Sequence, residues 1–219
     1  SDVYKRQALG LGTLTWGRDT LESEAAAQLE AFVEAGGNLV DTSPTYGDGQ
    51  AEQVLGRLLA HSSSTATDSA GADSFRFARE DLVIVSKAGV SRRHDESFVD
   101  ASRHNLLSSL DHTLANLGTD YVDLWLIQVP DPHTDFDLVL GALWSAWSSG
   151  KARYVGLSNH AGWQCAYAAA RLREGTVNVP GLAAVENEYS LLNRQAEAEV
   201  LPAAQSLGFG FLGLSLIHV

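Results

Sequence analysis

Short, nearly continuous apolar runs alternate along this chain with longer stretches of helical period, and that alternation restricts the fold to a parallel α/β arrangement. The strand candidates are Ala8–Gly12, Asn38–Asp41, Asp81–Ser86, Tyr121–Ile127, Arg153–Leu157, Leu182–Glu186 and Phe209–Leu212. Runs such as DLVIVS and VDLWLI are apolar on both faces, as strands covered on both sides require. Between them the spacing predicts helices over Glu22–Ala35, Gln50–Leu59, Ser102–Leu117, Phe136–Trp147, Gly162–Arg171 and Arg194–Leu207. In the third of these, Leu106, Leu107, Leu110, Leu114 and Leu117 make one apolar stripe, and Gly118 marks its stop.

Six strand–helix repeats and a seventh strand are compatible with a (β/α)₈ barrel or with a doubly wound sheet. The Gly10-Leu11-Gly12 string lacks the third glycine of a dinucleotide-binding fingerprint. At 219 residues the chain is shorter than a typical barrel of ~250. The Ser-, Ala- and Thr-rich segment 61–79 reads as an exposed insertion.

The formal net charge is -12, which leaves no basic patch for nucleic acid. A local cluster can still bind an anionic cofactor on an acidic protein. Cys165 is the single cysteine, so no internal disulfide forms. The seven histidines are scattered without metal-ligand spacing, and no metal is expected. No apolar run has transmembrane length, and SDVYKRQ carries no signal-peptide core. These features together point to a cytoplasmic protein with no membrane partner. The oligomeric state is not readable.

In a (β/α)₈ barrel, chemistry gathers at the C-terminal ends of the strands. There the sequence offers Asp41 and Tyr46, then Lys87, Gln128, Ser158-Asn159 and Glu186. A tyrosine hydroxyl has a reference pKa of about 10, and a nearby ammonium favours its phenolate. Such a phenol can protonate a carbonyl oxygen as hydride arrives, with an aspartate holding the ammonium charged and oriented. Taken singly, Asp41 is equally a turn former, Lys87 a solvated charge, Tyr46 a packing residue and Ser158 a helix cap. Joint placement at successive strand ends favours a site.

The strings LGLGTLTWG, VDTSPTYGDGQAEQVLG, VSKAG, YVDLWLIQVPDP, ARYVGLSNH and ENEYSLLNR, in this order, resemble the aldo-keto reductase family from about Ala8 to Gly213. The resemblance implies an α/β (β/α)₈ TIM barrel, incomplete here at about seven strands and six helices. It implies NAD(P)H-dependent, reversible reduction of aldehydes and ketones, with NADPH as cofactor and a small-molecule carbonyl as substrate. The resemblance makes Asp41, Tyr46 and Lys87 catalytic, with Tyr46 as general acid. Cofactor binding falls to Gly12, Thr13, Asp41, Ser158, Asn159 and Glu186.

Two positions depart from the family pattern. Gln128 stands where the family has its catalytic histidine, five residues after the aspartate that matches Asp123. A glutamine amide can donate a hydrogen bond but carries no proton, so Gln128 is expected to orient substrate. Glu186 stands where the family has glutamine near the nicotinamide. These departures keep open a second function, a non-catalytic barrel of the same family that senses cofactor. Trp16, Trp125 and Val129-Pro130 are candidates to line the pocket or, equally, to pack. Residues 1–7 and 214–219 resemble non-native read-through, and a truncated, inactive member is expected.

Overall fold

The computed structural model describes residues 9–64, 77–93, 96–173 and 181–214. The strands are β1 (Gly10–Gly12), β2 (Leu39–Asp41), β3 (Val83–Ala88), β4 (Val90–Arg93), β5 (Glu96–Val99), β6 (Val122–Ile127), β7 (Ala152–Ser158), β8 (Ala184–Glu188) and β9 (Gly210–Leu214). The helices are α1 (Glu22–Glu34), α2 (Gln50–Ser64), α3 (Arg103–Leu117), α4 (Phe136–Ser148), α5 (Gly162–Arg173) and α6 (Val200–Leu207). Seven strands are ordered β1-β2-β3-β6-β7-β8-β9. This is the α/β strand–helix succession of an incomplete (β/α)₈ barrel. β6 is buried at all six positions, as a continuous apolar run predicts for a strand covered on both faces.

Contacts gather the chain into two compact units, Ser1–Ser86 with Asp111–Asp123, and Lys87–Leu110 with Leu124–Val219. β3, α3 and β6 contribute residues to both.

In the first unit β1, β2 and β3 pair in parallel, with Gly12 beside Asp41 and Asp41 beside Val85. The helix α1 starts where the Leu21 N–H donates to the Glu24 carboxylate at 2.9 Å, satisfying one open donor of the first turn. Asp123, buried in the apolar run of β6, accepts from Ile84 N at 2.9 Å and from Arg79 Nη2 at 2.7 Å. A buried carboxylate needs such partners. Gly56 on α2 lies against the Asn116 carbonyl, where a Cβ finds no room.

In the second unit β7, β8 and β9 pair in parallel, with Ser158 beside Glu186 and Glu188 beside Leu214. The helix α4 is capped by Asp135, whose carboxylate accepts from Asp137 N at 2.8 Å. Val139, Leu140 and Leu143 of α4 are buried, while Trp144 is 48% exposed.

Three expectations shift. The helix expected from Arg194 begins at Val200, after a short 3₁₀ turn over Gln195–Glu197. Pro202 explains this: it is tolerated in a first turn but clashes in a helix interior. The antiparallel hairpin β4–β5 was not expected. Its residues Glu96–Val99 are all exposed, so no buried face imprints the sequence. In the expected insertion, residues 65–76 lie outside the described residues, α2 runs on to Ser64, and Phe77 is buried. Of the two ends, residues 1–8 and 215–219 are outside the described residues. Leu214 closes β9 and accepts from Tyr189 N at 3.0 Å.

Candidate active site

In the first unit, Asp41 ends β2 and Tyr46 follows it through the turn Thr42–Thr45. Both are buried, and Tyr46 Oη donates to Asp41 Oδ2 at 3.2 Å. The turn is fixed locally: Tyr46 N donates to Ser43 O at 3.0 Å, and Thr42 N to Val85 O at 2.9 Å. Behind Tyr46 the backbone takes left-handed conformations at Gly47, Asp48 and Gly49 (φ 56°, 55° and 86°). Glycine tolerates that conformation and aspartate tolerates it better than most, which is why TYGDGQ can reverse direction and start α2 within a few residues. Thr13, fully buried, donates from N and from Oγ1 to Asp41 O, both at 3.0 Å. Gly12 beside it is open, with nothing within 4 Å of a Cβ position.

In the second unit, Lys87 and Glu186 form an ion pair, Nζ to Oε1 at 3.2 Å, with side chains 1% and 2% exposed. Their strands, β3 and β8, stand three places apart in the sheet order. On a flat sheet that is ~14 Å, so the strands of this unit curve to bring the side chains together. Between them end β6 and β7. Gln128, just past β6, donates from N to Ala88 O at 2.8 Å. Asn159 reaches its neighbours in three directions. Its Nδ2 donates to Gln128 O at 3.3 Å and to Ser158 Oγ at 3.2 Å, its Oδ1 accepts from Glu188 N at 3.4 Å, and its N donates to Glu186 O at 2.8 Å. It adopts φ 55°, an uncommon conformation for a residue other than glycine.

A cleft of about 430 Å³ opens beside Asn159, walled by His160, Glu188, Asn193 and Glu199. A second, of about 600 Å³, lies in the first unit among Gly17, Arg18, Asp48 and Arg57. Burial lowers the pKa of His160 to about 4, against the backbone hydrogen bond to Ser158 O. Burial also pushes the Cys165 thiol up to about 11, which disfavours the thiolate a nucleophile needs. Among the described residues no group of three or more His, Cys, Asp or Glu could hold a metal ion. No helix among them is long and apolar enough to cross a membrane.

A family model described as "Aldo/keto reductase family" matches residues 8–219. The chain belongs to the aldo/keto reductase family. It is 31% identical over 215 residues to the uncharacterized oxidoreductase YrpG of Bacillus subtilis, covering 94% of this chain and 61% of that one. It is 31% identical to aflatoxin B1 aldehyde reductase member 2 of Mus musculus, over 94% of this chain and 51% of the relative. With L-glyceraldehyde 3-phosphate reductase of Escherichia coli the identity is again 31%, over 90% and 53%. The chain therefore spans about half to two thirds of the length of the curated relatives it matches.

Against this family pattern the candidate residues fall into three local groups: Asp41 with Tyr46 and Thr13, Lys87 with Glu186, and Gln128 with Ser158 and Asn159. Trp16 and Trp125 are fully buried, and the Trp16 indole donates to Gln28 Oε1 of α1 at 2.9 Å. Two polar features of structural weight, one residue and one pairing, were not visible in the sequence. Glu52, fully buried on α2, accepts from Ser86 Oγ, Thr113 Oγ1 and Asn116 Nδ2 at 2.9, 2.8 and 3.1 Å. The Lys87–Glu186 pairing is the other. At the β7 and β8 tips, Ser158 Oγ can donate or accept a hydrogen bond and the Glu186 carboxylate can accept one.

Proposed function

We propose that this protein is an oxidoreductase that reduces aldehydes and ketones to alcohols, reversibly, with NADPH as cofactor. The observation that carries the reading is the buried hydrogen bond from Tyr46 to Asp41 at a strand end, in a chain of the aldo/keto reductase family. The names of two relatives, an aldehyde reductase and a glyceraldehyde phosphate reductase, support a small carbonyl compound as substrate.

In this reading Tyr46 gives its phenolic proton to the carbonyl oxygen. Asp41 orients the phenol, and Lys87, whose charge Glu186 balances, is the third catalytic residue. Gln128 donates an amide hydrogen bond to the substrate oxygen, an orienting role that needs no titration. The cofactor-binding residues of this reading are Gly12, Thr13 and Asp41 in the first unit and Ser158, Asn159 and Glu186 in the second. When bound, that cofactor supplies the hydride. The enzyme works in the cytoplasm.

The test is aldehyde-dependent loss of NADPH absorbance by the full-length protein. Tyr46→Phe is expected to lower kcat by roughly 10²–10⁴-fold, the range for a positioned proton donor, with NADPH binding unchanged. Retained kcat in that variant overturns the assignment of Tyr46.

Gln128 and Glu186, which depart from the histidine and glutamine that the family resemblance implies, favour a second reading: a barrel that binds cofactor and signals its state without turnover. Wild-type protein that binds NADPH yet reduces no aldehyde selects this reading over the first.

A further inference from the structure

Lys87 and Glu186 are more enclosed than the other buried ion pair described, Arg79–Asp123, whose side chains are 12% and 7% exposed. Removing two charges from water is costly, and their attraction often does no better than two apolar side chains of the same volume. Stability alone is therefore a poor reason for a lysine and a glutamate at this place. The place itself offers a better one. Lys87 lies one residue before the end of β3, and Glu186 lies in β8 level with Ser158 of β7. The pair thus spans the tips of β6 and β7, which carry Gln128, Ser158 and Asn159. Strand tips at this end of a (β/α)₈ barrel are where chemistry is done. A lysine side chain has four rotatable carbons and a compact charge, so left alone it is a loosely aimed donor. A carboxylate oxygen at 3.2 Å holds the ammonium by its charge and restricts where it can sit. Glutamine could accept from the ammonium but could not balance its charge.

We propose that Glu186 is a positioning residue for Lys87, its carboxylate aiming the ammonium across the tips of β6 and β7. This rests on the reductase reading, which gives Lys87 its catalytic role.

The experiment uses the full-length protein with Glu186→Gln, Glu186→Asp, Lys87→Met and the double variant Lys87→Met/Glu186→Gln. Loss of aim predicts a kcat lowered roughly ten- to a hundredfold in Glu186→Gln, the scale of a misplaced catalytic group. KM for the aldehyde stays within about twofold, because ground-state binding of that substrate is untouched. Glu186→Asp, which keeps the charge, recovers part of kcat. In thermal melting each single variant falls, and the double variant regains most of the loss, because neither charge is then buried alone. An unchanged kcat in folded Glu186→Gln, or a raised NADPH Kd with kcat intact, overturns the inference and leaves the reductase reading standing. Additive melting losses overturn it as well. A wild-type protein without turnover removes the reductase reading, and this inference falls with it.

Discussion

His160 links a buried ring to the acid side of the stability curve. It is 2% exposed, its Nδ1 donates to Ser158 O at 2.8 Å, and its ring stacks on Phe136 at 5.7 Å between centroids. Burial holds its pKa at about 4 in the folded chain, from 6.5 when exposed. The folded state therefore keeps the neutral ring where the unfolded chain takes a proton. The sign follows: stability is complete above pH 6.5 and is lost as pH falls from 6.5 towards 4. The full loss is on the order of 3 kcal/mol. Wild-type Tm should fall over this window more steeply than that of His160→Gln, as read by scanning calorimetry at successive pH values. Parallel curves for the two proteins would rule the linkage out. Legibility at this scale was uneven. Asp41 and Tyr46 lie in one short turn and could be read as a pair. The Lys87–Glu186 pair could not, because it depends on strand curvature that no local sequence encodes.

Among elements, the clamp at Glu52 shows what helix periodicity does not reveal. The stripe of α3 was legible, with Leu106, Leu110 and Leu117 all at or near zero exposure. What ties that helix down was not. One carboxylate on α2 collects hydroxyls from β3 and α3 and an amide from α3. Truncating it strands several buried donors at once, each costing about 1–3 kcal/mol when left without a partner. Glu52→Ala is accordingly expected to cost about 2–4 kcal/mol in urea unfolding, and Glu52→Gln clearly less, because its amide oxygen still accepts. A cost below about 1 kcal/mol, within the range of a single ordinary hydrogen bond, would show that the clamp adds little. Element boundaries failed where a specific rule outweighed period. Pro202 shortened α6, and the exposed β4–β5 hairpin had no apolar alternation to betray it.

For the whole molecule, two effects converge as pH falls from neutrality. The net charge of -12 at pH 7 repels copies of the chain from one another, and it vanishes near the isoelectric point of about 4.9. In the same interval His160 begins to charge, and folded molecules open more often. Opening exposes Val122–Ile127, a run buried at every position and rich in residues that favour strands. Light scattering at a fixed temperature below Tm should therefore rise as pH falls and peak near the isoelectric point. The two causes separate by mutation. His160→Gln leaves the charge at neutral pH unchanged, so the peak should stay in place while the onset moves to lower pH. Added salt screens repulsion and should raise scattering on the neutral side in both proteins alike. An onset that ignores the His160 substitution would mean that charge neutralisation alone drives association, and that the folded chain withstands protonation of its buried ring.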